Sequence, residues 1–165
     1  MNIKLIDESQ FKQIQSIRQI IFHDHARKFA SLDLNNLETF GLSWRSDLIE
    51  PLIMLSSDNS TAWIGIDQQL VALDLKQEKI SVALPLSSNI VQILIAASLT
   101  IVLTELELLL FNSDRSIRSI KGLPDIGSEI LLQDTNVIVY LLEGDSLILD
   151  TETGMFKEPA IASFS

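Results

Sequence analysis

The segment WIGIDQQLVALDLKQEKI, residues 63–80, contains two short runs of apolar residues separated by a polar turn. The second run ends at Asp74, and an aspartate at the start of a turn can accept hydrogen bonds from backbone amides two residues further on. Short apolar runs bounded by turn residues are typical of β-strands. The segment therefore predicts two antiparallel strands, a polar turn and the start of a third strand near Ile80.

Later parts of the chain repeat this pattern. Prolines, which are disfavoured inside strands, mark the boundaries of three units, 52–85, 86–124 and 125–159. All four prolines lie at these boundaries: Pro51, Pro85, Pro124 and Pro159. Each unit contains four short runs that favour strands, so the sequence predicts three four-stranded repeats within residues 48–165, followed by a C-terminal tail.

Matching residues recur within the units at a nearly constant spacing. Ile64, Ile101 and Ile138 lie 37 residues apart in the second predicted strand. Self-similarity at a period of a few tens of residues indicates a repeat architecture. The third predicted strand closes each time with a residue that favours turns, at positions 38 residues apart: Asp74, Asn112 and Asp150.

Four short strands in about 38 residues match one blade of a β-propeller. Residues 63–80 and 137–156 resemble blades of the quinoprotein-type propeller repeats, and the resemblance extends over roughly residues 48–159. The resemblance implies a structural frame with little functional specificity. None of that family's cofactor-binding residues can be matched to this sequence.

The predicted fold is thus mainly β with an N-terminal α-helix, and the repeats are arranged as in a propeller. Three blades are fewer than the roughly four to eight of a closed ring. Two chains could complete a six-bladed ring as a homodimer, or the helix and the tail 160–164 could cover the open edges. A β-trefoil, which also has a threefold four-stranded unit, is the alternative fold.

The sequence before the repeats, residues 1–47, predicts a helical segment packed on the β part. Asp7 can cap a helix, and Gln10 three residues later completes a pattern close to a capping box. At about 100° per residue, a helix over residues 7–29 has one apolar face. That face comprises Phe11, Ile14, Ile17, Ile21, Phe22 and Phe29. A helix that docks a partner is the alternative to packing on the sheets.

Residues 30–50 predict a turn at Asn35 and Asn36, then a strand in which Phe40, Leu42 and Trp44 alternate with small or polar residues. Large aromatic side chains can anchor binding interfaces. Three such residues are expected to be half-buried in the core: Trp44, Trp63 and Tyr140.

The two histidines of the chain, His23 and His25, form an HxH pair. On a strand both rings would point to one face, as many metal sites require. On the predicted helix they diverge by about 200°, so that one metal ion cannot bind both. His25 then lies on the apolar face and His23 in solvent. A metal-dependent or small-molecule site near them is therefore only an alternative.

Few acidic residues form patterns that suggest a catalytic or ion-binding role. Glu105 and Glu107 share a predicted strand face and could form a carboxylate pair, but a solvated strand edge or turn is the simpler interpretation. Acidic residues also recur at the second hairpin turn of each unit, where turn preference explains them better than an ion site: Asp67, Glu105 and Glu143. Glycine-rich phosphate loops and the GxSxG motif are missing from the sequence.

Composition narrows the function further. The chain has no cysteine and a net charge of −10. Residues 51–165 carry six basic against fifteen acidic residues, a surface that repels nucleic acid and anionic membranes. The most apolar stretch, Ile90–Leu103, is shorter than the roughly 20 residues of a membrane span. These features predict a cytoplasmic protein without nucleic-acid or membrane partners.

The sequence therefore predicts a non-enzymatic protein-binding or scaffold module whose partner is another protein, and a basic partner is the more specific form of this prediction. No catalytic, cofactor-binding or metal-binding residue is assigned, and no cofactor is expected. The alternatives are an acidic inhibitor or immunity-type protein, a small-molecule or metal-dependent enzyme with a site near His23 and His25, and a structural subunit that completes a ring.

Overall fold

Four β-sheets of four strands each make up the computed structural model, which describes residues 1–35 and 37–157. The first sheet, in the order β1-β3-β4-β2, contains β1 (Asn2–Ile6), β2 (Gln19–Ile21), β3 (Lys28–Asp33) and β4 (Phe40–Trp44). The second contains β5 (Leu52–Leu55), β6 (Thr61–Ile66), β7 (Gln69–Asp74) and β8 (Lys79–Pro85).

The last two sheets follow the same order of strands as the second. The third contains β9 (Ile90–Ala96), β10 (Leu99–Thr104), β11 (Glu107–Phe111) and β12 (Ile117–Gly122). The fourth contains β13 (Gly127–Gln133), β14 (Asn136–Leu141), β15 (Ser146–Asp150) and β16 (Met155–Lys157). Sheets two to four are antiparallel meanders and coincide with the three predicted units. The predicted boundary at Pro159 and the tail 160–164 lie outside the described residues.

The number of sheets differs from the prediction, because the N-terminal segment also forms one. The helix predicted over residues 7–29 is wrong in extent: α1 spans only Glu8–Gln13. Its capping box is confirmed, with the backbone amide of Gln10 donating to Asp7 Oδ1 at 2.7 Å. Ile14 is already extended, with ψ of 130°. The β-branched isoleucines that follow favour extended chain, and they enter a 3-10 turn at Ser16–Arg18 and then β2.

The strand predicted around Trp44 is confirmed as β4, but both of its faces are buried. One face packs on the second sheet through Phe40, Leu42 and Trp44. The other face lies under α1, where a Cβ atom added to Gly41 would come within 2.9 Å of Phe11 Cε2. Close contact with the helix thus explains the glycine.

The four sheets stack one after another, joined by three apolar clusters. The first cluster lies between sheets one and two, the second between sheets two and three, and the third between sheets three and four. The inner strands β5, β9 and β13 lie side by side, and the outer strands β8 and β12 are largely exposed. This is the arrangement of consecutive propeller blades, and it rules out the trefoil.

Candidate functional site

Three rows of side chains occupy matching places in sheets two, three and four. Each row crosses the inner, second and third strands in hydrogen-bonded register and faces the following sheet. The rows are Met54–Trp63–Ala72, Leu94–Ile101–Leu110 and Leu131–Ile138–Ile148. The predicted match of Ile64 with Ile101 is therefore off by one residue, since Ile64 faces the preceding sheet.

The burial of the three rows differs sharply at the last one. Trp63 and Ala72 pack against the third sheet, and Ile101 and Leu110, both fully buried, pack against the fourth. In the last row, Leu131 is 48% exposed and Ile148 is 38% exposed. The row members on the second and third strands are thus buried in sheets two and three and partly exposed in sheet four, whereas the inner-strand member is also exposed in sheet two, where Met54 is 37% exposed.

The strand register extends this surface. Tyr140 lies two residues after Ile138 on β14, and Met155 pairs with Asp150 on the same face as Ile148. We call the apolar residues together the free face: Leu131, Ile138, Tyr140, Ile148 and Met155. Glu129 and Lys157, which pair with Tyr140 and Ile148, lie at its two edges.

In sheets two and three, backbone hydrogen bonds join the turn between the second and third strands to the linker that enters the next sheet. The carbonyls of Asp67 and Gln68 accept from the amides of Ile90 and Leu86, each at 2.7 Å. In the third sheet, the carbonyls of Glu105 and Leu106 accept in the same way from the amides of Gly127 and Leu123, each at 2.9 Å.

After the fourth sheet, the positions that match Leu86 and Ile90 follow Lys157 and lie outside the described part of the chain. The Leu142 side chain in the matching turn is exposed.

A side chain of the third sheet also reaches across to the fourth. Gln92 donates from Nε2 to the carbonyl of Ile130 and accepts the amide of Ile130 at Oε1, each at 2.9 Å. Gln92 pairs with Leu103 on β10, and Glu129 pairs with the matching Tyr140 on β14. On the free face, Glu129 therefore occupies the position from which Gln92, in the third sheet, forms hydrogen bonds with the next sheet. A carboxylate there can only accept hydrogen bonds.

Charge is concentrated in the same sheet. Residues 125–157 contain seven acidic residues and one basic residue, Lys157. The acids lie on the strands and turns of the fourth sheet and in the linker that enters it: Asp125, Glu129, Asp134, Glu143, Asp145, Asp150 and Glu152. An apolar centre with an acidic rim is complementary to an apolar surface with a basic rim.

The opposite end of the stack is closed. The outer face of the first sheet lies under α1, whose Phe11 is buried and packs on Phe29 with ring centroids 5.3 Å apart. Phe22 also stacks on the Phe11 ring, with centroids 6.3 Å apart. Among residues 1–35 and 37–157, the outward face of the fourth sheet therefore exposes its central row, whereas that of the first sheet is covered.

The histidines lie on a loop rather than on the predicted helix. The backbone amide of His23 donates to Ser43 Oγ at 3.0 Å, and His25 occupies a turn with φ of 58°. Both line a groove of about 250 Å³ beside Phe11 and Phe22. Within the described part of the chain, no three His, Asp or Glu side chains come together as metal ligands.

The recurring acids of the second hairpin occupy turns, as predicted. Asp67 has φ of 51°, and Glu105 and Glu143 lie between strands. Glu107 begins β11, so it does not share a strand with Glu105. The two carboxylates therefore do not share a strand face, and the position of Glu105 agrees with the turn that the sequence favours over a carboxylate pair.

A cleft of about 200 Å³ between sheets two and three is lined by Asp58, Thr61 and Arg115. Arg115 Nη1 lies 3.3 Å from Asp74 Oδ2 and donates to Thr61 Oγ1 at 3.2 Å. Hydrogen bonds from the hydroxyls of Ser56 and then Ser60 lower the pKa of Asp58 to about 2. These contacts hold turns and join neighbouring sheets, so the cleft is a structural joint.

The aromatic residues considered as anchors have different environments. Trp44 and Trp63 are fully buried, more deeply than expected. Trp44 Nε1 donates to the carbonyl of Ile49 at 2.9 Å, and Trp63 packs on Phe111 with centroids 4.7 Å apart. Tyr140 is half-exposed, as expected, and lies on the free face.

The free face itself was not identified from the sequence. Its signal was present in the spacing, since Ile148 lies 38 residues after Leu110 and Ile138 lies 37 after Ile101. Periodicity places apolar residues on both faces of every blade, but it does not show which blade leaves its row exposed in the described part of the chain.

Comparison by sequence yields no matching family model and no matching curated protein. Comparison of structures yields propellers. The WD40 domain of Neurospora crassa Pan2 superposes with a TM-score of 0.52 at 12% identity, covering 64% of this chain and 36% of that one. Saccharomyces cerevisiae Sqt1 gives 0.53 at 14% identity, covering 67% and 36%.

Dihydro-heme d1 dehydrogenase NirN, in complex with DHE, gives a TM-score of 0.57 at 12% identity, covering 79% of this chain and 32% of that one. The chain thus spans about a third of each of these structures. The resemblance to propeller repeats, including quinoprotein-like ones, is confirmed at the level of the fold. In residues 1–35 and 37–157, no helix is long and apolar enough to cross a membrane.

Proposed function

We propose that this chain is a non-enzymatic protein-binding or scaffold module and that the free face is its binding surface. The observation that carries the proposal is the matched burial of the rows. Leu110 is covered completely by the following sheet, and Ile148, at the matching place, is 38% exposed. Apolar rows with a polar rim mark surfaces that associate with proteins.

The resemblance to a WD40 domain supports the same class of function, since stacked repeats present broad, rigid surfaces that suit protein partners. Fold alone does not define function. The proposal therefore rests on the free face and uses the propeller likeness only as support for a rigid frame.

Affinity capture with matched variants tests the proposal. Ile148→Lys places a charge in the centre of the free face, and Ile120→Lys places the same charge on β12, where Ile120 is 50% exposed. We expect Ile120→Lys to retain the proteins bound by the wild-type chain and Ile148→Lys to lose them. Equal retention by both variants would reject the free face as the binding surface.

A second candidate is an inhibitor or immunity-type protein that neutralises a basic protein, and the seven acidic residues of 125–157 favour it. Such binding would depend on charge in the turns more than on the apolar row. The double variant Glu143→Lys, Asp145→Lys separates the two candidates. If charge neutralisation is the function, the double variant should lose more of the captured protein than Ile148→Lys does. If the apolar row is the binding surface, the double variant should lose less than Ile148→Lys.

A further inference from the structure

The geometry points to a specific occupant for the free face: we propose that it binds the apolar face of a further β-sheet, with a basic rim, carried on another polypeptide. The stack of blades then continues into the partner. This inference rests on the proposed function, since it names the chemistry of the partner at the same surface.

The first argument is the shape of the surface. In sheets two and three, the row members on the second and third strands are covered by the following four-stranded sheet, which contributes its own apolar residues. Sheets pack face to face at about 10 Å through interdigitating side chains. Ile138 and Ile148 hold the places of Ile101 and Leu110, which that packing buries, so the apolar face of a further sheet is the surface that fits them.

The second argument is that Glu129 holds, in the fourth sheet, the place that Gln92 holds in the third. Gln92 both donates to and accepts from the backbone of the next sheet. Glu129 can only accept, so it fits a partner that offers an amide together with a lysine or arginine. The acidic turns around the free face favour the same basic rim by electrostatic complementarity.

A second copy of this chain is a poorer occupant. Head-to-tail stacking would require the outer face of the first sheet, which α1 covers with Phe11. Two fourth sheets face to face would bring together two acidic rims, each with seven acidic residues and one lysine. Like charges placed opposite each other disfavour such a contact.

Photo-cross-linking in an extract of the cells that make the protein tests the inference. The probe is p-benzoylphenylalanine placed at Tyr140, with the same amino acid at the exposed Phe22 as the matched control. We expect a cross-linked product from position 140 and at least roughly tenfold less of it from position 22. Its yield is expected to fall severalfold as ionic strength rises above about 0.1 M.

Mapping the cross-linked peptide decides the occupant. A β-strand with alternating apolar residues and nearby lysine or arginine, on a different polypeptide, supports the inference. A specific product at position 140 that maps to a helix, to an acidic segment or to this chain itself, including residues 158–165, overturns the inference but leaves protein binding intact. No product, or equal products from both positions, overturns the proposed function as well.

Discussion

The side-chain amide of Gln92 forms two hydrogen bonds with the backbone of Ile130, one in each direction and each 2.9 Å long. They join the inner strands of the third and fourth sheets, where Ile130 is almost fully buried. We predict that Gln92→Ala lowers the free energy of unfolding by roughly 1–3 kcal/mol, because two buried backbone groups lose their partners. Urea unfolding measures this.

The control for that variant is Gln133→Ala, at the exposed end of β13, the strand that contains Ile130. It removes an equal side chain without removing a contact between sheets, and its effect is expected to stay within about 0.5 kcal/mol. Equal losses from both variants would show that the bonds to Ile130 contribute nothing to the joint.

Matched truncations test the difference between a covered and an uncovered row. Leu110→Ala is expected to cost about 2–5 kcal/mol, since it opens a cavity in a fully buried cluster. Ile148→Ala, at the matching place on the free face, is expected to cost less than about 1 kcal/mol in the isolated chain. Similar losses, measured by chemical unfolding, would mean that the free face is already covered in the isolated chain.

Glycine substitutions probe the joint between sheets three and four. A Cβ atom added to Gly127 would lie 2.7 Å from Leu103 Cδ1 and 3.0 Å from the carbonyl oxygen of Thr104. Gly127→Ala is therefore expected to destabilise the fold by roughly 1–3 kcal/mol. Gly122→Ala serves as the control, because its Cβ would meet nothing within 4 Å. Its midpoint of thermal unfolding should stay near that of the wild-type protein.

Asp58 is expected to make the stability of the fold depend on pH. Hydrogen bonds from Ser56 and Ser60 lower its pKa from 3.8 to about 2. Because the folded pKa is the lower one, the bonds stabilise the protein fully above about pH 4, and the stabilisation is lost as pH falls toward about 2. Asp58→Ala should therefore be less stable than wild type at pH 7, and the difference should shrink between about pH 4 and 2.

Urea midpoints at several pH values measure that difference. Ser56→Ala removes the largest single cause of the lowered pKa, so its difference from wild type should shrink over the same range. A deficit of Asp58→Ala that stays constant down to pH 2 would show that the carboxylate charge has no part in holding the turn.

Sheets two to four could be predicted because the first three strands of each contain short apolar runs bounded by turn residues, as around Asp74 and Asp150. The turns leave local signals that need no knowledge of distant contacts. The capping box of Asp7 and Gln10 is equally local, and it marked the start of α1 correctly.

The first sheet could not be predicted in this way. Its β2 has only three residues and pairs in parallel with β4, some twenty positions further along the chain. Such a strand is too short for periodicity to reveal. Ile20 and Ile21 are both buried in the first cluster, whereas Ile17 is 80% exposed, so a single helical face did not describe them.

The free face escaped prediction for a different reason. Ile138 and Ile101 have the same apolar character and the same strand position, and only the following sheet distinguishes their environments. Burial depends on the neighbour present in space, which sequence spacing within one blade does not encode.

Methionine and hydroxyl-radical footprinting of the free face tests the central claim most directly. The chain would be labelled once in purified form and once in an extract of its own cells, and the oxidation of Met155, Tyr140 and Ile148 compared with that of Ile117 and Ile120. We predict severalfold protection of the first three in the extract and no change at the β12 residues. Equal oxidation of the free face in both samples would contradict the account.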